Sequence, residues 1–333
     1  MDITLVWAAI VAFGLGMYVV LDGFDLGIGI LFPFFDHDDA RSRMMSSVAP
    51  VWDGNETWMV LGAASLYAVF PTVYSVVLSA LYLPLLLMTI CLIFRGVAFE
   101  LRGKARRTRA WWDLAFIGGS AGATFFQGVA IGGWLSGIPV VGDHFAGGAF
   151  DWLTPFSLFT GLALVVTYAL LGCTWLIAKT DGDLQRRLYR LAMPPTALQL
   201  VTIIAVTLWT PRLTPMFDSR WFDSPMLHWA LLAPATVLAC AAGMLRATRS
   251  RHPTLPFVLT LGFVLAGYAG LLATVYPFAI LPGVTIWQAA SPHTSQVFTL
   301  VGAVVIIPVI LAYTALGYRV FRGKTDHAEL HYH

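Results

Sequence analysis

Charge is what this sequence has least of. Only 11% of its 333 residues are Asp, Glu, Lys or Arg, against 58% hydrophobic, whereas a soluble domain carries roughly a quarter charged. That imbalance excludes an ordinary water-soluble globule. The net charge of +2 is too small to point to nucleic acid as a partner. Cysteine is scarce as well: Cys91, Cys173 and Cys240 each lie in an apolar run and form no CxxC pair. A disulfide framework or thiolate metal site is thereby excluded, and the three are expected to pack as small apolar residues. Met1-Asp2-Ile3 lacks the basic region of a cleavable leader, and the first apolar run is too long for one, so it is expected to be retained.

Length of apolar run is what the sequence does have. A hydrocarbon core about 30 Å thick takes about 20 residues of helix. Apolar stretches of that size lie near 5–32, 48–70, 75–99, 112–134, 155–178, 194–211, 226–246, 256–277 and 295–319. Inside a bilayer the backbone must satisfy itself as helix or closed barrel, and the unbroken run from Val76 to Phe94 excludes the alternation of a barrel. The expected fold is all-α, a polytopic integral membrane bundle of about nine transmembrane helices forming a single transmembrane domain over 1–333. Pro84, Pro234 and Pro308 sit in or near these helices and are expected to shape the bundle.

Basic residues set the orientation. Arg41 and Arg43 follow the first span; Arg102, Lys104, Arg106, Arg107 and Arg109 follow the third. Lys179, Arg186, Arg187 and Arg190 follow the fifth, Arg246, Arg249 and Arg251 the seventh, and the tail adds Arg319, Arg322 and Lys324. The connections after the second, fourth and eighth spans hold no Lys or Arg, and the one after the sixth holds Arg212 and Arg220. An N-terminus outside and a C-terminus in the cytoplasm follow as expectations. Histidine then stays out of the interior: His37, His252, His327, His331 and His333 fall in cytoplasmic segments, and His144, His228 and His293 in or beside outer loops. Haem iron needs His or Met ligands from facing helices at matched depth, so no haem is expected on this chain.

Ionisable residues inside a span are costly and mark function by default. Asp22 and Asp25 lie in the first span, and Asp53 and Glu56 open the second. Each pair has a three-residue spacing, which puts both carboxylates on one helical face. The first helix arrives at the inner surface and the second leaves it, so all four acids are expected at similar depth near the cytoplasm, placed for proton transfer. Gly23, Gly27 and Gly29 beside the first pair are expected to form a packing face rather than a phosphate loop. Arg95 and Glu100, at the end of the third span, are expected to snorkel as an interfacial ion pair.

The segments Leu21-Asp22-Gly23-Phe24-Asp25-Leu26-Gly27-Ile28-Gly29 and Ala49-Pro50-Val51-Trp52-Asp53-Gly54-Asn55-Glu56-Thr57-Trp58 resemble subunit II of the cytochrome bd quinol oxidases. Met88 to Leu92, Phe94 to Glu100, Tyr276-Pro277-Phe278 and Ile286 to Ala290 extend the resemblance over essentially the whole chain. It implies a complex of the bacterial inner membrane that reduces oxygen to water with electrons from quinol. All haems, of b and d type or with a b-type substitute, would belong to subunit I, together with the quinol-oxidising loop. Subunit II would support that partner, bind no haem, and help to supply its protons from the cytoplasm. Asp22, Asp25 and Asp53 match the family's acidic positions, and Glu56 stands where other members carry an amide. Trp58 matches a tryptophan associated in some members with an apolar oxygen route. Some members hold a structural quinone in this subunit, and lipid, quinone and a small single-span accessory subunit complete the implied partners. The short chain and its Asp-Gly-Asn-Glu sequence lean toward the cyanide-insensitive subgroup. Two other classes use the same residues: a proton-coupled transporter, which needs discontinuous helices around a midplane site, and a purely structural assembly subunit.

Overall fold

The computed structural model describes residues 2–105, 107–213 and 226–325, with the backbone alone over 226–233. Arg106, Arg220, His327, His331, His333 and the side chain of His228 lie outside the described residues. Helices cover every predicted apolar stretch. They are α1 (Ile3–Leu31), α2 (Asp38–Ser46), α3 (Trp52–Val69), α4 (Pro71–Ala80), α5 (Tyr82–Arg102) and α6 (Arg109–Leu135), then α7 (Pro155–Lys179), α8 (Gly182–Leu191), α9 (Met193–Trp209), α10 (Met226–Arg249), α11 (Leu255–Val275) and α12 (His293–Val320). Among the described residues, seven helical stretches are long and apolar enough to cross a membrane, or eight if the bent pair α3–α4 counts as one span.

The third predicted span begins late. Instead of one helix over 75–99, α4 turns away from α3 by 118°, and a further break at Leu81 starts α5 at Tyr82. Pro71 supplies no backbone N–H and occupies the first turn of α4, while Phe70 leaves helical geometry to cap α3. The boundary near 70 matches the end of the second predicted stretch, but apolarity alone did not reveal the break at Leu81, which lies among residues as apolar as the span that follows.

α1 is the hub. Its 29 residues reach about 44 Å, with Asp2 capping the start by accepting from the Thr4 N–H at 2.9 Å. The Trp287 indole N–H also donates to Asp2 at 2.5 Å and thereby holds this carboxyl below its ordinary range. Pro33, in the short 3-10 turn Phe32–Phe34, ends the helix. At that end lie α2, the close of α5, α8 and the close of α10, here called the α2 end. Two small hairpins mark the opposite end: β1 (Val140–Val141) with β2 (His144–Phe145), and β3 (Phe278–Ile280) with β4 (Val284–Thr285). The Ile138 N–H to Leu281 C=O bond, 2.9 Å, ties the two hairpin regions together.

Glycine sets the closest helix crossings. A Cβ on Gly27 would collide with the backbone of Tyr168, and one on Gly172 would lie 2.5 Å from the Gly27 carbonyl carbon, so α1 and α7 touch backbone to backbone. Gly29 sits as tightly against α6, where an added Cβ would run into the Ser120 side chain and lie 2.9 Å from the Phe116 carbonyl oxygen. The packing role expected for this face is what the fold shows. Beside it, Phe24 stacks on Trp175 with ring centroids 4.3 Å apart. α12 is the contrast: Phe298, Val301, Val304, Val305 and Val309 are all exposed in the isolated chain.

Candidate proton-transfer site

The α2 end of α1 holds a buried ionic cluster whose centre is Arg95. This residue belongs to the buried stripe of α5, with Pro84, Met88, Leu92, Ala98 and Arg102. Its guanidinium is fully enclosed; it donates to Asp22 Oδ1 at 2.7 Å and lies 3.7 Å from Asp25 Oδ2. It also pairs with Glu56 of α3. Three carboxyls from two helices thus converge on one base from a third. Arg95 does not snorkel, and its partner is not Glu100. Five residues separate those two, which puts them about 140° apart around the helix, and Glu100 is exposed.

Asn55 organises the far side. Its Nδ2 donates to Asp25 Oδ2 at 2.7 Å, and its Oδ1 accepts from the Tyr318 hydroxyl of α12 at 2.9 Å. Asp22 and Asp25 are completely buried, whereas the Glu56 side chain keeps 25% of its surface accessible. Glu56 is therefore the cluster's open edge. The outer oxygen Asp25 Oδ1 has no hydrogen-bond partner among the described residues, and the buried hydroxyl of Tyr18, one turn before Asp22 on α1, faces the Asp22 carboxyl. Asp53 points elsewhere: it is exposed in the first turn of α3 and stands outside the ion-paired group. Trp58 is wholly buried, with the ring of Phe13 edge-on at 5.7 Å.

A second ionic group lies closer to the end of the bundle. Arg102 pairs with Asp113 and, at 2.7 Å, with Asp38; it also donates to Ser42 Oγ at 3.0 Å. Arg41 joins Asp113 at 2.8 Å. Aromatic rings stand between the two groups. Trp52 and Phe99 stack at 5.0 Å, and the Arg95 guanidinium lies over both, 5.6 and 5.5 Å from their centroids. Phe116 continues the layer, edge-on to Phe99 and Phe32. The outer group clamps α2 to α5 and α6, and the inner one is left with Glu56 as its outlet. Asp113→Asn is accordingly expected to loosen α2 while leaving the Arg95 cluster intact; faster proteolysis within 36–46, with unchanged protection of α1, would show it.

Of the four acids expected together, the structure gathers Asp22, Asp25 and Glu56 on Arg95 and leaves Asp53 exposed outside the group, and the base itself was expected to snorkel instead. The signal was available, since Arg95 lies seven residues from Met88 and from Arg102 and so shares their helical face. Among the described residues, His37, His144, His252 and His293 are all exposed.

Comparison with known proteins agrees with this architecture. A chain of the solved bd oxidase from Geobacillus thermodenitrificans superposes with a TM-score of 0.75, covering 97% of this chain and 99% of that one at 18% identity. Cytochrome bd-I ubiquinol oxidase subunit 2 of Escherichia coli (strain K12) is 30% identical, over 96% of this chain and 94% of its own length. Cytochrome bd ubiquinol oxidase subunit 2 of Bacillus subtilis is 27% identical, over 97% of each. The profile of the cytochrome bd terminal oxidase subunit II family matches residues 3–321. With its fold, its acidic motifs and nearly its whole length matched, the chain belongs to the cytochrome bd terminal oxidase subunit II family.

Proposed function

We propose that this chain is the haem-free subunit of a quinol-dependent, oxygen-reducing oxidase of the bacterial inner membrane, and that its buried acids conduct protons from the cytoplasm. It crosses nine times, with the N-terminus outside and the α2 end inside, an orientation supported by the arginines gathered there. Electron transfer and oxygen chemistry belong to the haem subunit; this chain supports that partner and is not catalytic alone. Quinol is the reductant, and a small single-span subunit completes the complex. Purification through a tag on this chain is expected to bring haem absorption bands and a second large subunit; a colourless lone chain overturns the reading.

The observation that carries the proton role is Arg95 held among three carboxyls with one open edge. One guanidinium offsets one carboxylate. Further negative charge in a low-dielectric interior is expensive, so the remaining carboxyls hold protons between them and exchange them within the cluster. Asp53 collects protons at the surface, Glu56 receives them, and Asp22 and Asp25 relay them toward Asn55 and Tyr318. α12, which carries Tyr318, presents the apolar face on which the haem subunit docks. Trp58 lines an apolar passage for oxygen beside α1.

Asp53→Asn tests the outermost step. The assembled variant is expected to respire normally in acid and to lose rate progressively as pH rises, when proton capture becomes limiting. An unchanged pH profile would remove Asp53 from the route.

A further inference from the structure

A separate basic cleft lies at the α2 end, between α8 and the close of α10. It encloses about 860 Å³ and is lined by Asp183, Arg186, Arg187 and Arg190 of α8 with Arg249 and Arg251. Arg186 is neutralised by Asp183, and Arg187 is spent on the Phe34 carbonyl, 2.6 Å away, and on the ring of Phe35. Arg190, Arg249 and Arg251 have no acidic partner among the described residues, and all three are exposed. Three unopposed guanidiniums converging on one cleft repel each other unless an anion joins them.

The backbone at Arg251 adds an independent sign. The His252 N–H bonds the Ala247 carbonyl at 3.0 Å and the Arg251 N–H bonds that of Thr248 at 3.3 Å, the Schellman closure of a helix end. Arg251 occupies its left-handed position at φ 50, and it is the only residue other than glycine with positive φ among the described residues. Glycine fits that position at least cost, so the arginine there carries a backbone cost while lining the cleft.

The surroundings select the ligand. Met193 and Leu245 give the cleft an apolar floor, and a neighbouring groove along Ala242, Leu245 and Arg246 continues it up α10. Leu245 and Leu238 then expose 40% and 64% of their surfaces along the same helix. We infer that this cleft binds the headgroup of a phospholipid carrying two phosphates, its phosphates on Arg190, Arg249 and Arg251 and its acyl chains along the exposed leucines of α10. Basic pockets between helices at the inner interface are suited to such headgroups, and each guanidinium favours an anionic lipid several-fold. A zwitterionic lipid brings an ammonium group beside the arginines and gains less.

Lipid retention by the purified full-length protein in its native assembly, measured by native mass spectrometry, tests the assignment. Titration with diphosphatidylglycerol is expected to show tight binding that R190Q/R249Q weakens by about tenfold or more, whereas R190K/R249K, which keeps the charge, stays close to the parent. R319Q/R322Q removes equal charge from the same end and is expected to change nothing. The assignment is overturned if R190Q/R249Q retains the lipid as the parent does, if R319Q/R322Q loses it equally, or if phosphatidylethanolamine binds as tightly. Inorganic pyrophosphate displacing the lipid at a concentration equal to the lipid's own would point to a soluble anion and also overturn it.

Discussion

Arg95→Leu is expected to abolish accumulation of the folded protein in the membrane. The guanidinium is fully enclosed and, among the described residues, is the one base in contact with Asp22, Asp25 and Glu56. Removing one member of a buried ion pair leaves the other uncompensated, which costs about 3–5 kcal/mol. A domain's whole stability is only about 5–15 kcal/mol, and here more than one carboxyl loses its partner. Arg95→Lys should fall between the two, because a point charge cannot span Asp22 on one side and Glu56 on the other as the planar fork does. Arg95→Gln combined with Asp22→Asn should recover part of the loss, since it removes charge from both sides. Membrane abundance and thermal midpoint of the four proteins measure this series. An Arg95→Leu protein as abundant and as heat-stable as the parent would show that the cluster carries no structural weight.

Gly27→Ala is the second large effect, and it acts through shape. The added methyl would overlap the Tyr168 carbonyl and crowd the Gly172 N–H on α7. Both obstacles are backbone, so no side chain can rotate aside; α1 and α7 must separate. Overpacking of this kind costs about 1–3 kcal/mol, and more where the backbone itself must move. Separation would also shift Asp25, two residues away, from Asn55. Gly27→Ala is therefore expected to lower the thermal midpoint and to slow turnover together. Gly270→Ala on α11, where an added Cβ meets nothing within 4 Å, is the matched control and should leave both unchanged. If the two variants behave alike, the α1–α7 contact is looser than its geometry implies.

The helical stretches were legible in the sequence because hydropathy responds to the same quantity as the bilayer, apolar length. α1, α6, α7, α11 and α12 therefore lie within a few residues of expectation. The end of the second stretch at 70 was legible, since α3 stops at Val69, whereas the short α4 and the break at Leu81, inside the stretch expected as one helix over 75–99, were not. Their residues are apolar and fit a continuous span, and only backbone geometry marks the turns. At the site, antiparallel topology was enough to place Asp22, Asp25 and Glu56 together, since it needs only order and rise per residue. Asp53 shares the depth but not the direction, and its exposure depends on how α3 is rotated. Arg95 was misread because an arginine near a helix end has two outcomes, water or a buried partner. Depth does not separate them. Helical phase does, and the phase puts Arg95 with Met88, Leu92 and Ala98 rather than with Glu100.

The role of the cluster in proton delivery is tested most directly by Asp25→Asn. The amide has nearly the carboxyl's shape and still accepts from Asn55 Nδ2, while the stronger Arg95–Asp22 and Arg95–Glu56 pairs stay in place. Assembly with the haem partner should therefore survive, and the change removes a group that takes up and releases protons. Positioned acid–base groups contribute about a hundredfold or more to the steps they serve. Proton uptake from the inner side should be followed in proteoliposomes during oxygen reduction, with haem content matched to the parent. The expected result is uptake and oxygen consumption slowed together by about a hundredfold, with haem spectra unaltered. Parent-like uptake across the pH range in a fully assembled Asp25→Asn complex would contradict it and leave the buried acids a structural role alone.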